Sequence, residues 1–307
     1  MSIEPTAASA TTPRATVALS TRNRKDDLRR AIQSALEQTV PLEILVCDDA
    51  STDGTAEMIR AEFPTVVLHV SDQAHDVTVQ RNRAAELAST DIIVSIDDDA
   101  MFTSPDTVEQ VLRDFGDPRV GAVAMPFVNV RVDSCIRQKA PDSTGIYIAS
   151  SFIGTAYAIR RDVFLDLGGY RTFLIHQYEE EDFCIRMLDA GYMIRLGSTE
   201  PIHHFHSPVR NRRGMDIWGA RNTVLFTWHN VPMPYFVPHL LGTTVNALAA
   251  GVRAGSTLRK VRGVMSGYAD CVRQMRERQP VRPATYRLYR RLRRLGTLPI
   301  SVLESYQ

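Results

Sequence analysis

The turn after the first apolar run holds no glycine: residues 15–20, ATVALS, lead straight into STRNRKDD. A dinucleotide fold needs G-x-G-x-x-G at that point and a Walker loop needs its own glycines, so both are excluded. A sugar-phosphate nucleotidyltransferase is disfavoured by the same absence. Charge of one sign is missing as well. With 36 Lys and Arg against 35 Asp and Glu, the net charge is +1, which implies no nucleic acid or other polyelectrolyte as partner of the whole chain. The four cysteines, Cys47, Cys135, Cys184 and Cys271, are widely separated with no C-x-x-C, so a reducing cytoplasm fits better than a disulfide framework. The opening residues, MSIEPTAASATTPR, contain no apolar core, and a disordered tail over 1–14 without a secretory signal is expected. No long uninterrupted hydrophobic run exists. The best candidate, residues 235–252, is broken by Pro238, His239, Thr243, Thr244 and Asn246, and reads as a helix packed on protein or lying on a surface.

What is present is an ordinary globular composition, 44% hydrophobic and 23% charged, in 307 residues that allow one large domain or two smaller ones. The organising stretch is DIIVSIDDDA at residues 91–100. Ile92, Ile93, Val94 and Ile96 form a run too short for a helix and β-branched throughout, which predicts a strand buried on both faces of a mainly parallel sheet. Its acids fall at the carboxyl end, where open α/β sheets bind ligands. In an extended chain Asp97 and Asp99 project to one side and Asp98 to the other. Two convergent carboxylates repel unless a cation lies between them, and Mg²⁺ or Mn²⁺ bridges carboxylates to diphosphate oxygens. The plainer alternative is a solvated acidic turn.

The chain before this point alternates strand and helix. A strand over 15–20 is followed by an amphipathic run, Leu28, Ile32, Ala35 and Leu36, that Pro41 ends. A second strand, 42–47, runs into Asp48-Asp49-Ala50-Ser51, and turn chemistry at 51–54 opens another helix. A strand over 65–70 and a helix over 78–88 carrying Arg81 complete the pattern. Such alternation predicts a parallel sheet with right-handed crossovers. Later strands are expected over 119–132 and 150–161, where Gly154 allows either a close backbone approach or a bulge. The cluster Glu179-Glu180-Glu181-Asp182 suits a general base through mutual repulsion, or is an acidic first helical turn with Asp182 and Arg186 paired at i, i+4. His203, His204 and His206 are candidate partners of carboxylates on a hard metal, with surface histidines as the alternative. Arg210, Arg212 and Arg213 form a basic loop that closes over a diphosphate or is solvated. The tail from Arg253 onward is rich in arginine.

Taken together, ALSTRNR, ILVCDDASTDGT and QRNRAAELASTDIIVSIDDDA resemble the family 2 glycosyltransferases of GT-A fold, bacterial type, over roughly residues 16–232. The resemblance implies an α/β fold with a Rossmann-like, mainly parallel sheet flanked by helices. It divides the chain into a tail (1–14), a catalytic domain (15–232, with a nucleotide half to 100 and an acceptor half beyond) and a basic helical C-terminal region (233–307). It implies that Ser20, Thr21 and Arg22 line a nucleotide pocket, that Asp48 or Asp49 accepts a pyrimidine N3–H, that Asp97 lies near the ribose and that Asp99 binds metal. Uracil and thymine carry that imide donor and cytosine does not, so UDP- or dTDP-sugars are favoured. Asp98 joins the donor set, as does Arg81 if it reaches the phosphates rather than solvent; the Asp48-Asp49 pair is otherwise a helix cap. The family pattern E-D-x-D-L-x-x-R with A-G-Y matches at Asp182, Phe183, Arg186 and Ala190-Gly191-Tyr192, and sets Glu180 where the family has a catalytic aspartate. A histidine following that helix is implied as a metal ligand, His204 first and His206 next, beside Asp97 and Asp99 on Mn²⁺ or Mg²⁺. The expected activity is metal-dependent, inverting transfer of a hexose or deoxyhexose to a glycan, lipid-linked or small-molecule hydroxyl. A catalytically inactive sugar-nucleotide binder is the alternative. The chain is expected in the cytoplasm, with the basic helices meeting either the anionic inner face of the membrane or a second subunit.

Overall fold

Short β-branched runs and amphipathic helices alternate through the first hundred residues of the computed structural model, which describes residues 12–142, 144–206 and 212–302. The order is β1 (Ala15–Thr21), α1 (Lys25–Leu36), β2 (Leu42–Asp48), α2 (Thr55–Glu62), β3 (Val67–Val70), α3 (Val77–Leu87) and β4 (Ile92–Asp97). The expected alternation holds. β1 pairs in parallel with β2 and β4, and β2 with β3. Val17, Leu19, Leu45, Val46, Val94 and Ile96 are buried in these strands, and α1 covers them with Leu28, Ala31, Ile32 and Ala35.

The second half continues with β5 (Ala100–Met101), α4 (Thr107–Asp114), β6 (Val120–Ala124), β7 (Phe127–Asn129), β8 (Ile136–Arg137), β9 (Tyr147–Ala149), β10 (Ala156–Arg160), α5 (Arg161–Asp166), α6 (Glu179–Asp189), β11 (Met193–Leu196) and β12 (Ile202–His204). The single strand expected over 119–132 is two strands in different sheets, because Pro126 interrupts it with a residue that cannot donate to a ladder. Of 150–161 only β10 is extended, and it runs antiparallel to β4 and β6. The main sheet has the order β9-β11-β6-β10-β4-β1-β2-β3, with one further strand outside β9. Only β9 and β10 run against the others. A small sheet, β5-β12-β7-β8, lies beyond the carboxyl end of β4.

The C-terminal region is helical: α7 (Arg212–Asn230), α8 (Phe236–Arg253), α9 (Thr257–Arg273) and α10 (Pro283–Leu295), then β13 (Leu298–Pro299). It is more than an appendage. Tyr286, Tyr289 and Leu292 of α10 enter the main core behind α6, and β13 pairs with β9 as the ninth strand. A second, smaller core joins α7 to α9 through Ala220, Val224, Leu225, Val264 and Cys271. The basic loop expected at Arg210, Arg212 and Arg213 lies outside the described residues and side chains, as does most of the expected N-terminal tail.

Two helical glycines give opposite forecasts. A Cβ on Gly263 would stand 2.4 Å from the Ile217 carbonyl oxygen, so α7 and α9 touch there backbone to backbone, whereas a Cβ on Gly242 would meet nothing. Gly263→Ala should destabilise by about 1–3 kcal/mol despite alanine's better helix propensity, and Gly242→Ala should stabilise by up to about 1 kcal/mol. Urea denaturation of the two variants checks both signs.

Candidate active site

The carboxyl ends of β1, β2 and β4 open into a cavity of about 590 Å³ that Asp97, Asp99 and His204 share with Glu179 and Glu180. Each element brings its side chain there for a local reason. β4 ends at Asp97 and the chain turns at Asp98, so Asp99 comes back toward the small sheet. In that sheet β12 runs antiparallel to β5 with His204 opposite Ala100, and parallel to β7 with His204 opposite Asn129. That register sets one ring nitrogen against the acids and the other against an amide: His204 Nε2 lies 3.0 Å from Asp99 Oδ1 and 3.8 Å from Asp97 Oδ2, and Nδ1 lies 2.5 Å from Asn129 Oδ1.

Asn129 Oδ1 can only accept, so Nδ1 carries a proton and Nε2 is the ring nitrogen that faces the two carboxylates. Two carboxylates and an imidazole nitrogen are a common donor set for a divalent ion. Three ligand atoms, all within 4.8 Å of one another, therefore fit a divalent metal ion. His206, the other expected ligand, is not in this trio; its ring centroid lies 5.4 Å from that of His204. His203 alternates to the exposed face of β12.

Arg81 of α3 is not a solvated helix residue. Its guanidinium is buried, donating to Asp97 Oδ1 at 3.1 Å, to Glu180 Oε1 at 3.3 Å and to the Gly154 carbonyl at 2.8 Å. A Cβ on Gly154 would fall 2.2 Å from Glu180 Oε1 and 2.5 Å from Arg81 Nη1, so the close approach served by this glycine is to those two side chains. The added methylene of a glutamate at 180 occupies the space a larger residue at 154 would take. Of the acidic run, Glu179 and Glu180 line the cavity and the other two turn away. Glu181 meets Arg293 at 3.3 Å, and Asp182 is buried against Arg171 at 2.7 Å, Arg186 at 3.1 Å and Asn230 at 2.7 Å. The i, i+4 pairing of Asp182 with Arg186 is thus realised, in the interior rather than on a solvated face. Burial, with Glu180 adjacent, holds the Glu179 carboxyl well above the usual range.

At the exit of β1, Ser20, Thr21 and Arg22 line the cavity, and Thr21 donates to Asp98 at 2.8 Å. Arg24 is the residue that sequence reasoning missed. Its guanidinium lies 2.9 Å from Asp98 and 3.1 Å from Asp99, so it balances the acidic turn beside His204. Burial nevertheless pushes the Asp98 carboxyl up to about 7, against the pull of Arg24. The expectation that an extended chain sends Asp98 to the opposite side does not hold, because β4 ends at Asp97 and the turn that follows puts Asp98 and Asp99 on the same Arg24 nitrogen and both on the cavity. The two expected base-recognising acids separate. Asp48 does not line the cavity; it is fully buried and accepts the Ser51 N–H at 3.1 Å. Asp49 does line it, and accepts from the His75 N–H at 2.7 Å and Gln80 Nε2 at 2.6 Å, both on Oδ1. Neither caps the following helix, whose first turn is held by Asp53. His75, Gln80, His176 and Trp218 also line the cavity.

Residues 16–168 match the sequence profile of Glycosyl transferase family 2. Among curated proteins, the chain is 27% identical over 184 residues to the O-antigen chain rhamnosyltransferase WbaN of Salmonella anatum, covering 54% of this chain and 58% of that protein. It is 27% identical over 205 residues to the glucosyl-dolichyl phosphate glucuronosyltransferase of Haloferax volcanii, covering 59% and 65%. The matched part is therefore under two thirds of either relative's length. Among solved structures it resembles the mannosyltransferase PcManGT of Pyrobaculum calidifontis, in complex with GDP-Man and Mn²⁺, at 25% identity and TM-score 0.56, covering 86% of this chain and 82% of that one. It also resembles S. aureus TarS in complex with UDP-GlcNAc, at 14% identity and TM-score 0.63, covering 84% and 80%, which speaks to fold alone. With the strand alternation, the D-x-D turn and these matches agreeing, the chain belongs to glycosyl transferase family 2 and has a GT-A fold.

Proposed function

We propose that this protein is a metal-dependent, inverting glycosyltransferase that moves a hexose or deoxyhexose from a UDP- or dTDP-sugar to the hydroxyl of a glycan, lipid-linked or small-molecule acceptor. The observation that carries the reading is the buried Arg81 guanidinium, which joins Asp97 of the metal cluster to Glu180 within one cavity.

Asp97, Asp99 and His204 would hold Mn²⁺ or Mg²⁺, which when bound supplies positive charge to the donor diphosphate. Asp49 retains Oδ2 to accept the imide N–H of uracil or thymine, because its contacts to His75 and Gln80 both fall on Oδ1. Arg22 and Arg81 supply cationic donors to the diphosphate side of the cavity. Glu180 takes the proton from the acceptor hydroxyl as its oxygen forms the bond to the anomeric carbon, and the bond from that carbon to the diphosphate breaks on the opposite face. The nucleoside diphosphate leaves with the electron pair. The acceptor hydroxyl would approach past Gly154 and Trp218. No helix among the described residues is long and apolar enough to cross a membrane, so a lipid-linked acceptor would be met at the membrane surface. The rhamnosyltransferase among the relatives fits a deoxyhexose donor. The GDP-Man complex of PcManGT makes guanosine the main competitor, since guanine also presents a ring N–H.

Calorimetric titration of UDP, dTDP, GDP and CDP, each with Mn²⁺ and with chelator, should show binding of UDP or dTDP in the presence of metal only. Asp99→Ala should weaken that binding at least about tenfold, as expected for loss of a carboxylate from a hard-cation site. Unchanged metal-dependent binding in Asp99→Ala would remove the cluster from the donor site. Glu180→Gln should keep donor affinity and lower kcat by about 10²–10⁴-fold; full turnover in this variant would transfer the base role elsewhere, with Glu179 the next candidate. Gly154→Ala should likewise lower kcat more than donor affinity, since the new methyl group collides with Glu180 and Arg81 together, and steady-state kinetics with the matching nucleotide sugar would report the split.

A further inference from the structure

Helix α6 begins where its own sequence gives little reason to begin. His176, Gln177 and Tyr178 lead into it in place of the Ser, Thr, Asp or Asn that usually mark a helix start, and no side chain caps its first turn. Gln177 and Tyr178 both have φ of 72°, in the left-handed region that a residue with a Cβ rarely adopts. Two such residues in succession need an outside restraint. The two residues that follow them, Glu179 and Glu180, are the ones that line the cavity.

The restraint comes from α7. Asn222 is wholly buried, and its Nδ2 donates to two successive carbonyls of the lead-in segment, that of His176 at 3.0 Å and that of Gln177 at 2.8 Å. In an extended segment successive carbonyls point to opposite sides, so both meet one nitrogen only while the chain is turned. The amide has a single workable orientation, because Asn222 Oδ1 accepts from Arg221 Nη1 at 3.0 Å. Arg221 is in turn held by Asp270 of α9 at 2.6 Å and by the Phe173 carbonyl at 2.7 Å. Gly219, about one turn earlier on α7, gives the Gln177 side chain its room: a Cβ there would fall 2.2 Å from Gln177 Oε1. About two turns beyond Asn222, Asn230 donates to Asp182 Oδ1 at 2.7 Å. α7 therefore grips the chain on both sides of Glu180.

We propose that Asn222 is a positioning residue for Glu180: by holding the left-handed turn before α6 it sets the carboxylate beside Arg81 and in reach of the acceptor hydroxyl. Arg221 and Asp270 tie that placement to the packing of α7 on α9. This rests on the transferase reading, in which Glu180 is the base, and adds to it a residue that does not line the cavity. The turn needs a restraint because residues with a Cβ are placed in it. Glycine adopts the same φ freely, so a glycine at position 177 should make Asn222 largely dispensable. A residue that only filled space between α7 and the loop would not be replaceable in this way.

The test is hydrogen–deuterium exchange on the full chain, followed by turnover of UDP-glucose and of dTDP-rhamnose with water as the acceptor. Asn222→Ala should speed amide exchange across residues 175–182 by about tenfold or more, while β1 and β4 keep the wild-type rate. It should lower kcat by about 10–100-fold, as expected for a misplaced base, with KM for the nucleotide sugar within about twofold of wild type. Adding Gln177→Gly to Asn222→Ala should restore most of the protection and most of the kcat. Asn222→Asp, which keeps the shape and the acceptor toward Arg221 and loses only the donor, should speed exchange of the same amides and serves if the alanine variant does not fold. The proposal is overturned if exchange over 175–182 is unchanged, if it rises equally throughout α7 and α9, or if Gln177→Gly restores neither protection nor kcat. Absence of turnover from every form, wild type included, would count against the transferase reading and leave the exchange result standing.

Discussion

The buried guanidinium of Arg81 is the interaction on which the rest of the site depends. A charge removed from water must be matched, and removing a partner from a buried ion pair typically costs several kcal/mol. Asp97 at the end of β4, Glu180 at the start of α6 and the carbonyl of Gly154 before β10 supply the match. These three come from distant parts of the sequence, so one side chain fixes the relative positions of a strand end, a helix start and an intervening loop. The side of the cavity built from the ends of β1, β2 and β4 and the side built from α6 are thereby held in one geometry. Glycine at 154 is part of the same constraint, because any Cβ there would occupy the meeting point.

Around that fixed point the remaining groups are set by strand register. His204 owes its place to the pairing of β12 with two neighbours at once, one of which continues from the acidic turn while the other offers the amide that fixes its tautomer. A slip of one residue would turn His203 inward and His204 to solvent. The acidic turn is in turn held by Thr21 and Arg24 from the exit of β1, the strand that pairs with β4. The β1 exit therefore has a bracing task that needs arginine and threonine where other nucleotide-binding folds have glycine.

The first hundred residues were legible because each strand there is a short β-branched run, each helix has one apolar face, and their alternation leaves few topologies. The D-x-D was legible because its acids follow directly on a short β-branched run, at the end of the strand where open α/β sheets bind ligands. Other features depend on contacts across long sequence separations, which periodicity does not record. Arg24 looked like any basic residue on a loop, Arg81 was open between donor phosphates and solvent, and only the fold shows the carboxylates they meet. Asp48 and Asp49 were indistinguishable as neighbours in a turn; Asp48 is the last residue of β2 and is enclosed, whereas Asp49, one residue beyond the strand, borders the cavity. The break at Pro126 was visible in composition, but its effect, two sheets in place of one strand, depends on the pairing partners that β6 and β7 find. The role of α10 in the core was hidden by its arginines, which dominate its composition although they occupy one face.

The pairing of β13 with β9 bears on the order in which the molecule can be completed. Folding as synthesis proceeds tends to favour segments that emerge first, and here the strands around β4 have their partners early. The β9 edge and the back of α6, however, stay uncovered until α10 and β13 arrive, close to the last of the described residues. α6 carries Glu180. A nascent chain can thus assemble a sheet with an acidic turn well before the helix that carries Glu180 is firmly seated, and the cavity they share gains its full backing only once residues 283–299 have been made.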